Sequence, residues 1–293
     1  MDWIRKIKTF FKTNDAVIGL IAVNVAVFVL YHVLRMFYSL FTDIRDFPLD
    51  HWLGAPADVD TLIGRPWTLI TYMFFHQGIL HILFNMLWLY WFGRIFRTYF
   101  SGWQLVNVYI LGGLAGALFY VLSYNIFPVF AVEKHFAILL GASAGVLAVV
   151  MAISCHVPKY TVNLLFFGRI RLIYIALVTL VLDIISISTS DNSGGHIAHL
   201  GGAFFGYLFA VNFLKGRDIT AWFGRFCAWT GSFFKSKPKL KVAYKRPPTD
   251  DREYNRQKNE DQQEIDRILD KISKGGYESL TRKEKEILFH QKG

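Results

Sequence analysis

The chain has 293 residues, 53% hydrophobic, 17% aromatic and only 18% charged, with mean hydropathy +0.32 and net charge +10. A soluble globular chain averages about 25% charged residues and disorder needs low hydrophobicity, so neither fits. The two cysteines, Cys155 and Cys227, do not make a disulfide-stapled secreted domain, which leaves a membrane protein whose charges are crowded into a few segments.

Six apolar stretches follow in chain order, at roughly 15–35, 79–97, 103–124, 138–155, 170–187 and 196–214. Each reaches or nears the ~20 residues that cross a ~30 Å hydrocarbon core as a helix. Arg5, Lys6, Lys8 and Lys12 precede the first stretch, but no small-residue cleavage site follows it. It is therefore read as a retained span and not a signal peptide. With a cytoplasmic N-terminus, the inner segments hold 11 Lys/Arg and the outer ones only Arg35, Arg45, Arg65 and Lys134. The excess places both chain ends in the cytoplasm of a multi-pass protein of the cell (inner) membrane.

The first outer loop, roughly 36–78, carries five aspartates, Trp52 and Trp67. It is expected to pack partly in the headgroup zone, where Trp is favoured. Past the sixth stretch, Trp222, Phe226, Trp229 and Phe233 share one helical face, which Arg225 interrupts. This predicts an interfacial amphipathic helix over 217–234, with a seventh span as the alternative. Residues 235–293 then hold 16 Lys/Arg and 11 Asp/Glu. Ile265, Ile268, Leu269 and Ile272 have helical spacing, Gly275 and Gly276 end that helix, and Thr281 with Glu284 forms a capping box that opens another. The expected class is all-α: a polytopic six-helix membrane bundle plus a small cytoplasmic helical hairpin. Its segments are a cytoplasmic N-terminus (1–14), the membrane domain (15–216), the interfacial helix (217–234), a charged linker (235–261) and the hairpin (262–293).

Polar groups inside spans are costly and therefore candidates for chemistry. His81 and Asn85, four apart at the start of the second stretch, share a helix face, and both side chains can donate hydrogen bonds. Interhelical glue is the bland alternative. Ser143 sits in Gly141–Ala–Ser–Ala–Gly145, a run that suits close helix packing, or a nucleophile at a helix N-terminus where amides and dipole face a developing oxyanion. His196 and His199 open the sixth stretch and supply the usual general base for a serine. Gly202 and Gly206 below them form a small-xxx-small face for close approach to the fourth helix. The charge-derived topology puts His81, Asn85, Ser143 and His199 towards the same outer side. The chain lacks the His-Glu-x-x-His of a metalloprotease. For His196-x-x-His199, no obvious further acidic or thiol ligand is expected in the same outer cluster, so no metal is expected. Asp183, near the outer end of the fifth stretch, is the clear intramembrane acid and is expected to reach the interface or a partner.

The segments FFHQGILHILFNM, GASAG and AHLGGAFFG, on the second, fourth and sixth stretches in that order, resemble the rhomboid intramembrane serine proteases over roughly residues 15–214. The resemblance implies a Ser–His dyad, with Ser143 as nucleophile and His199 as general base. It implies an oxyanion hole from His81, Asn85 and the Ser143 amide, and places His76, Gly141, Gly202 and Gly206 as supporting residues. The stretch from Trp67 to Thr71 matches a first-loop motif that helps place such proteins in the membrane. It further implies transmembrane protein substrates within the bilayer and no cofactor.

Three departures stand out. Ala144 follows the serine where the family usually has Gly. Leu147 takes the place of an aromatic that packs on the base, so His199 must be oriented another way. Thr68 follows Trp67 where Arg is usual. The rival reading is a catalytically inactive rhomboid-like protein that binds or escorts transmembrane clients. Basic residues at inner membrane edges point to anionic lipid heads and not to nucleic acid. The hairpin is open to a cytoplasmic partner.

Overall fold

The computed structural model describes residues 15–42, 47–164, 168–190, 192–233 and 251–290; the expected N-terminal segment 1–14 and most of the linker lie outside the described residues. The chain divides into two units, 1–235 and 236–293.

The first unit is a helical bundle of α1 (Ala16–Phe41), α2 (Ile79–Tyr99), α3 (Gly102–Ile126), α4 (Ser143–His156), α5 (Leu172–Thr189) and α6 (Ser193–Leu214). Their starts are written in the sequence. Asp15 accepts a hydrogen bond from the Val17 amide at 3.0 Å, and Ser101 with Gln104 forms a reciprocal capping box. Asn192 accepts from the Gly195 amide at 3.2 Å.

Among the described residues, five helices are long and apolar enough to cross a membrane; α4, with 14 residues, is not. It rises about 21 Å, against a hydrocarbon core of about 30 Å. The fourth apolar stretch therefore corrects the expectation of a full-length span from 138. Its first part is extended, and Ile138–Leu139 (β2) pairs antiparallel with Ala55–Pro56 (β1) of the first loop. Gly141, at φ +117°, turns the chain, and the helix begins only at Ser143.

Helix α4 is the centre of the bundle, with every residue from Ala144 to Ser154 buried. Glycines on its neighbours make this enclosure close. A Cβ on Gly202 of α6 would lie 2.1 Å from the Ala144 carbonyl oxygen, and one on Gly206 would lie 2.2 Å from that of Ala148. From the other side, a Cβ on Gly116 of α3 would lie 2.5 Å from the Ala144 Cβ, and one on Gly112 would lie 2.2 Å from that of Ala148.

The first loop is folded on itself. Trp52 and Trp67 stack at 5.9 Å, the Trp67 indole donates to the Trp52 carbonyl at 2.8 Å, and the Arg65 guanidinium lies 4.6 Å over the Trp52 ring. Thr68, the departure after Trp67, is buried and donates to the Arg65 carbonyl at 2.7 Å. On the other side of the sequence, Thr161–Leu164 (β3) and Gly168–Arg171 (β4) pair antiparallel ahead of α5. After α6, helix α7 (Ala221–Phe233) exposes Trp222, Phe226 and Trp229.

The second unit contains α8 (Asp251–Gly275) and α9 (Arg282–His290). Helix α8 begins at Asp251, so residues 251–261, expected as linker, are helical. Gly276 takes φ +71° between the helices. Thr281 and Glu284 cap α9 reciprocally, Lys271 of α8 pairs with Glu284 at 2.9 Å, and Ile268 and Leu280 are buried.

Candidate active site

The backbone ahead of Ser143 is fixed from the first loop. The Gly141 amide donates to the Tyr72 carbonyl at 2.9 Å, and the Ala142 amide donates to His76 Nε2 at 3.3 Å. Tyr72 is itself buried, its hydroxyl donating to the Gly113 carbonyl of α3 at 2.6 Å. An imidazole whose Nε2 accepts is neutral, with its proton on Nδ1. Burial agrees, pulling the His76 pKa down from 6.5 to about 4, with His81 adding to the pull. His76 packs edge-on against His81, ring centres 5.0 Å apart. His81 in turn covers Gly141, where a Cβ would lie 2.7 Å from the imidazole. Gly141 is thus required twice, by its positive φ and by the ring against it.

Ser143 is the first residue of α4, so the amides of that first turn have no partner within the helix. Ser143 lines a cavity of about 400 Å³ shared with His81, Asn85, Leu147 and His199. Trp88 of α2, Thr179 of α5 and Asn192 complete much of the wall. Asn85 is buried and donates one N–H to the His81 carbonyl at 2.8 Å, leaving its second amide hydrogen available. A second cavity, of about 540 Å³ and lined by Gln77, Tyr124 and Glu133 among others, shares His81, Leu140, Asn192 and Gly195 with the first. Polar groups therefore lead up to the Ser143 cavity. Ser143 and His199 form no hydrogen bond with each other here; such contacts often tighten only when substrate is bound.

His199 is held from an unexpected side. Its Nδ1 lies 2.8 Å from Asp183 Oδ1, and His196 Nδ1 lies 2.8 Å from the same oxygen. The sequence reading found no acidic group near the two histidines; the fold corrects this by bringing Asp183 across from α5. The pair of helices explains why: Asp183 faces α6 from 13 and 16 residues away. The donor atoms of Asp183, His196 and His199 lie within 4.8 Å of one another, a two-histidine, one-carboxylate set.

Of the residues expected from the sequence, Ser143, His199, His81 and Asn85 share one cavity; His76 bonds the Ala142 amide, Gly141 lies under His81, and Gly202 and Gly206 pack against α4. The sequence reading missed Tyr72, Gly112, Gly116 and the Asp183 contact. The α3 run Leu111–Gly–Gly–Leu–Ala–Gly116 is a small-residue signal that could have been read. Gly116 also answers the Ala144 departure, since it clears space for that methyl.

A helical bundle with five membrane-length helices, and a serine and a histidine on one cavity, defines the class: an all-α polytopic membrane protein. Residues 64–216 match the Rhomboid domain, and the chain belongs to that family as a multi-pass membrane protein. It is 28% identical over 212 residues to RHOMBOID-like protein 12, mitochondrial, of Arabidopsis thaliana, covering 70% of this chain and 60% of that protein. To Rhomboid-related protein 1 of Caenorhabditis elegans it is 29% identical over 196 residues, covering 61% of this chain and 51% of that one. To Rhomboid protease GlpG of Serratia proteamaculans it is 27% identical over 131 residues, 39% and 43% of the two chains. The chain thus spans between about two-fifths and three-fifths of the length of these relatives. Residues 249–290 match a family of unknown function (DUF6576).

Proposed function

We propose that this rhomboid-family protein is an intramembrane serine endopeptidase that cuts transmembrane segments of other membrane proteins near the outer leaflet. The observation that carries the reading is the shared wall: Ser143, His199, His81 and Asn85 line one cavity at the N-terminus of α4. His199 Nε2 takes the Ser143 Oγ proton as Oγ bonds to a substrate carbonyl carbon. The carbonyl electrons move to oxygen, where the Asn85 amide, His81 and the Ser143 backbone N–H donate to the oxyanion, an effect of about 3–4 kcal/mol per donor. The tetrahedral centre collapses, the C–N bond breaks, and His199 passes its proton to the leaving amine. Water then attacks the acyl-enzyme, with His199 as base again, and Ser143 Oγ leaves with the proton. The polar second cavity is the route for that water.

Orientation in a cell (inner) membrane with both ends cytoplasmic follows from the Lys/Arg asymmetry and belongs to this reading. So does a cytoplasmic partner for the 251–290 unit, for which deletion of 245–293 followed by a proteolysis assay is the test. The catalytic reading is tested on purified full-length protein with a fluorophosphonate probe. Wild type labels, Ser143→Ala does not, and His199→Ala labels at least about 10²-fold more slowly. Labelling of Ser143→Ala equal to wild type removes the nucleophile. A wild type that neither labels nor cleaves leaves the client-binding rhomboid-like protein.

A further inference from the structure

A general base works only if its ring is held in the right tautomer and orientation. In the Ser143 cavity, the residue one turn beyond the nucleophile is Leu147, an aliphatic side chain with no hydrogen-bonding group. Something else must orient His199. The only side-chain hydrogen bond that His199 makes among the described residues is to Asp183, at 2.8 Å from Nδ1. An ionised carboxylate only accepts, so both Nδ1 atoms donate, and Nε2 of His199 is left as the unprotonated, basic nitrogen. This is the tautomer that removal of a serine proton requires.

The carboxylate is not placed as ordinary helix glue. Its side chain is 7% exposed, while those of His196 and His199 are 21% and 22% exposed. One oxygen takes both imidazoles, and the other, Oδ2, is buried with no hydrogen-bond partner among the described residues. A buried acceptor left open costs about 1–3 kcal/mol, more for a charged group, and stability alone would favour an apolar residue at this site. An arrangement that costs stability and fixes a base is one expected at a working site.

We propose that Asp183 is a positioning residue for the general base, extending the Ser143–His199 pair to Ser143–His199–Asp183, and that His196 is the second donor that holds the carboxylate in place. The clamp rests on the protease reading above. In the reaction one proton moves, from Ser143 Oγ to His199 Nε2. Asp183 stays ionised throughout, and the imidazolium that forms is stabilised by the charge on Oδ1. His196 keeps Oδ1 turned towards α6 and takes no part in the proton transfer. The other polar residues on the cavity wall with the base are His81, Asn85, Ser143, Thr179 and Asn192; none is a carboxylate that could replace Asp183.

Saturable fluorophosphonate labelling of the full-length protein in detergent separates probe binding (KI) from chemistry (kinact). Asp183→Asn keeps the shape and an acceptor oxygen but removes the charge; Asp183→Leu removes both. The expected result is a kinact lower by about 10²-fold or more in both variants, with KI within about threefold of wild type. His196→Gln lowers kinact by a smaller factor, about tenfold, because His199 keeps its own bond to Asp183. If Asp183→Leu does not fold, the near-isosteric Asp183→Asn decides. Unchanged kinact in Asp183→Asn, with Ser143→Ala silent, overturns the clamp and leaves the protease reading standing. Loss of wild-type labelling on adding EDTA also overturns it, since the three residues then hold a metal ion. A wild type that does not label at all removes the protease reading and the clamp together.

Discussion

Helices α4 and α5 follow one another in the chain and are similarly apolar, yet they are packed in opposite ways. Every residue of α4 from Ala144 to Ser154 is buried. On α5 only Leu172, Ala176 and Asp183 are buried, and Val178, Val181, Leu182, Ile184 and Ile185 are more than half exposed. The three buried positions fall on one narrow stripe, at spacings of four and seven. Ser143 is thus carried by a helix locked on all sides, and Asp183, which bonds His199, is carried by a helix held along a single line. In a bilayer, where lipid is as apolar as a leucine side chain, close packing and hydrogen bonds hold helices together, not hydrophobic burial. The Asp183 bonds to His196 and His199 are contacts of this kind, joining α5 to α6 beside the cavity.

The largest effect is expected where the locked helix is overfilled. Gly202→Leu places side-chain atoms where even a Cβ would lie 2.1 Å from the Ala144 carbonyl oxygen. Helices α4 and α6 must separate, at a cost of about 3 kcal/mol or more, and Ser143 and His199 separate with them. Thermal unfolding in detergent should show a midpoint lower by about 6–12 °C, and fluorophosphonate labelling should be lost. A variant with wild-type midpoint and labelling would show that the close α4–α6 approach is not needed.

Next comes a change confined to the cavity. Asn85→Ala removes one expected oxyanion donor and should lower the cleavage rate by about 10²–10³-fold with little change in KM. Because Asn85 also donates to the His81 carbonyl of its own helix, its midpoint should fall by no more than a few degrees, corresponding to about 1 kcal/mol. A rise in KM at constant kcat would assign Asn85 to substrate binding instead.

The third test concerns the loop that aims α4. Burial holds the His76 pKa near 4, below its ordinary 6.5. The unfolded chain therefore binds more protons than the folded one between these values, and stability rises with pH across that window. His76 contributes fully above about pH 6.5, and its contribution is lost as pH falls towards 4, by at most about 3 kcal/mol. The unfolding midpoint of wild type should fall between pH 6.5 and 4 by more than that of His76→Gln, which has no imidazole to protonate. Parallel pH profiles would place the acid sensitivity elsewhere.

The same contrast explains what was legible in the sequence. The spans announce themselves because apolar runs and Lys/Arg clusters are local signals. Gly202 and Gly206 are legible because helix packing has a fixed four-residue period. The start of α4 was not, since Ile138, Leu139 and Leu140 are as apolar as the helix they precede. Pairing with Ala55–Pro56 and the φ of Gly141 decide the boundary, and both are tertiary. The Asp183 contact was hidden for a related reason. Its helix partner lies beyond a turn, and no periodicity within α5 says which neighbour an isolated acid meets. The absence of an aromatic at Leu147 was the one local hint that His199 needed another support.

The smallest effect belongs to the open face of α5. Ile184 sits next to Asp183 and is 53% exposed, whereas Ile153 of α4 has no exposed surface. In detergent or lipid, Ile184→Ala exchanges one apolar contact with solvent acyl chains for another and leaves no cavity inside the protein. Its unfolding free energy should stay within about 0.5 kcal/mol of wild type, and labelling of Ser143 should be unchanged. Ile153→Ala opens a void that the glycine-lined neighbours cannot close without moving together, at about 2–5 kcal/mol. Similar losses at the two positions would mean that α5 is covered on its outer face by another protein surface. Its single buried stripe would then no longer explain how Asp183 is held.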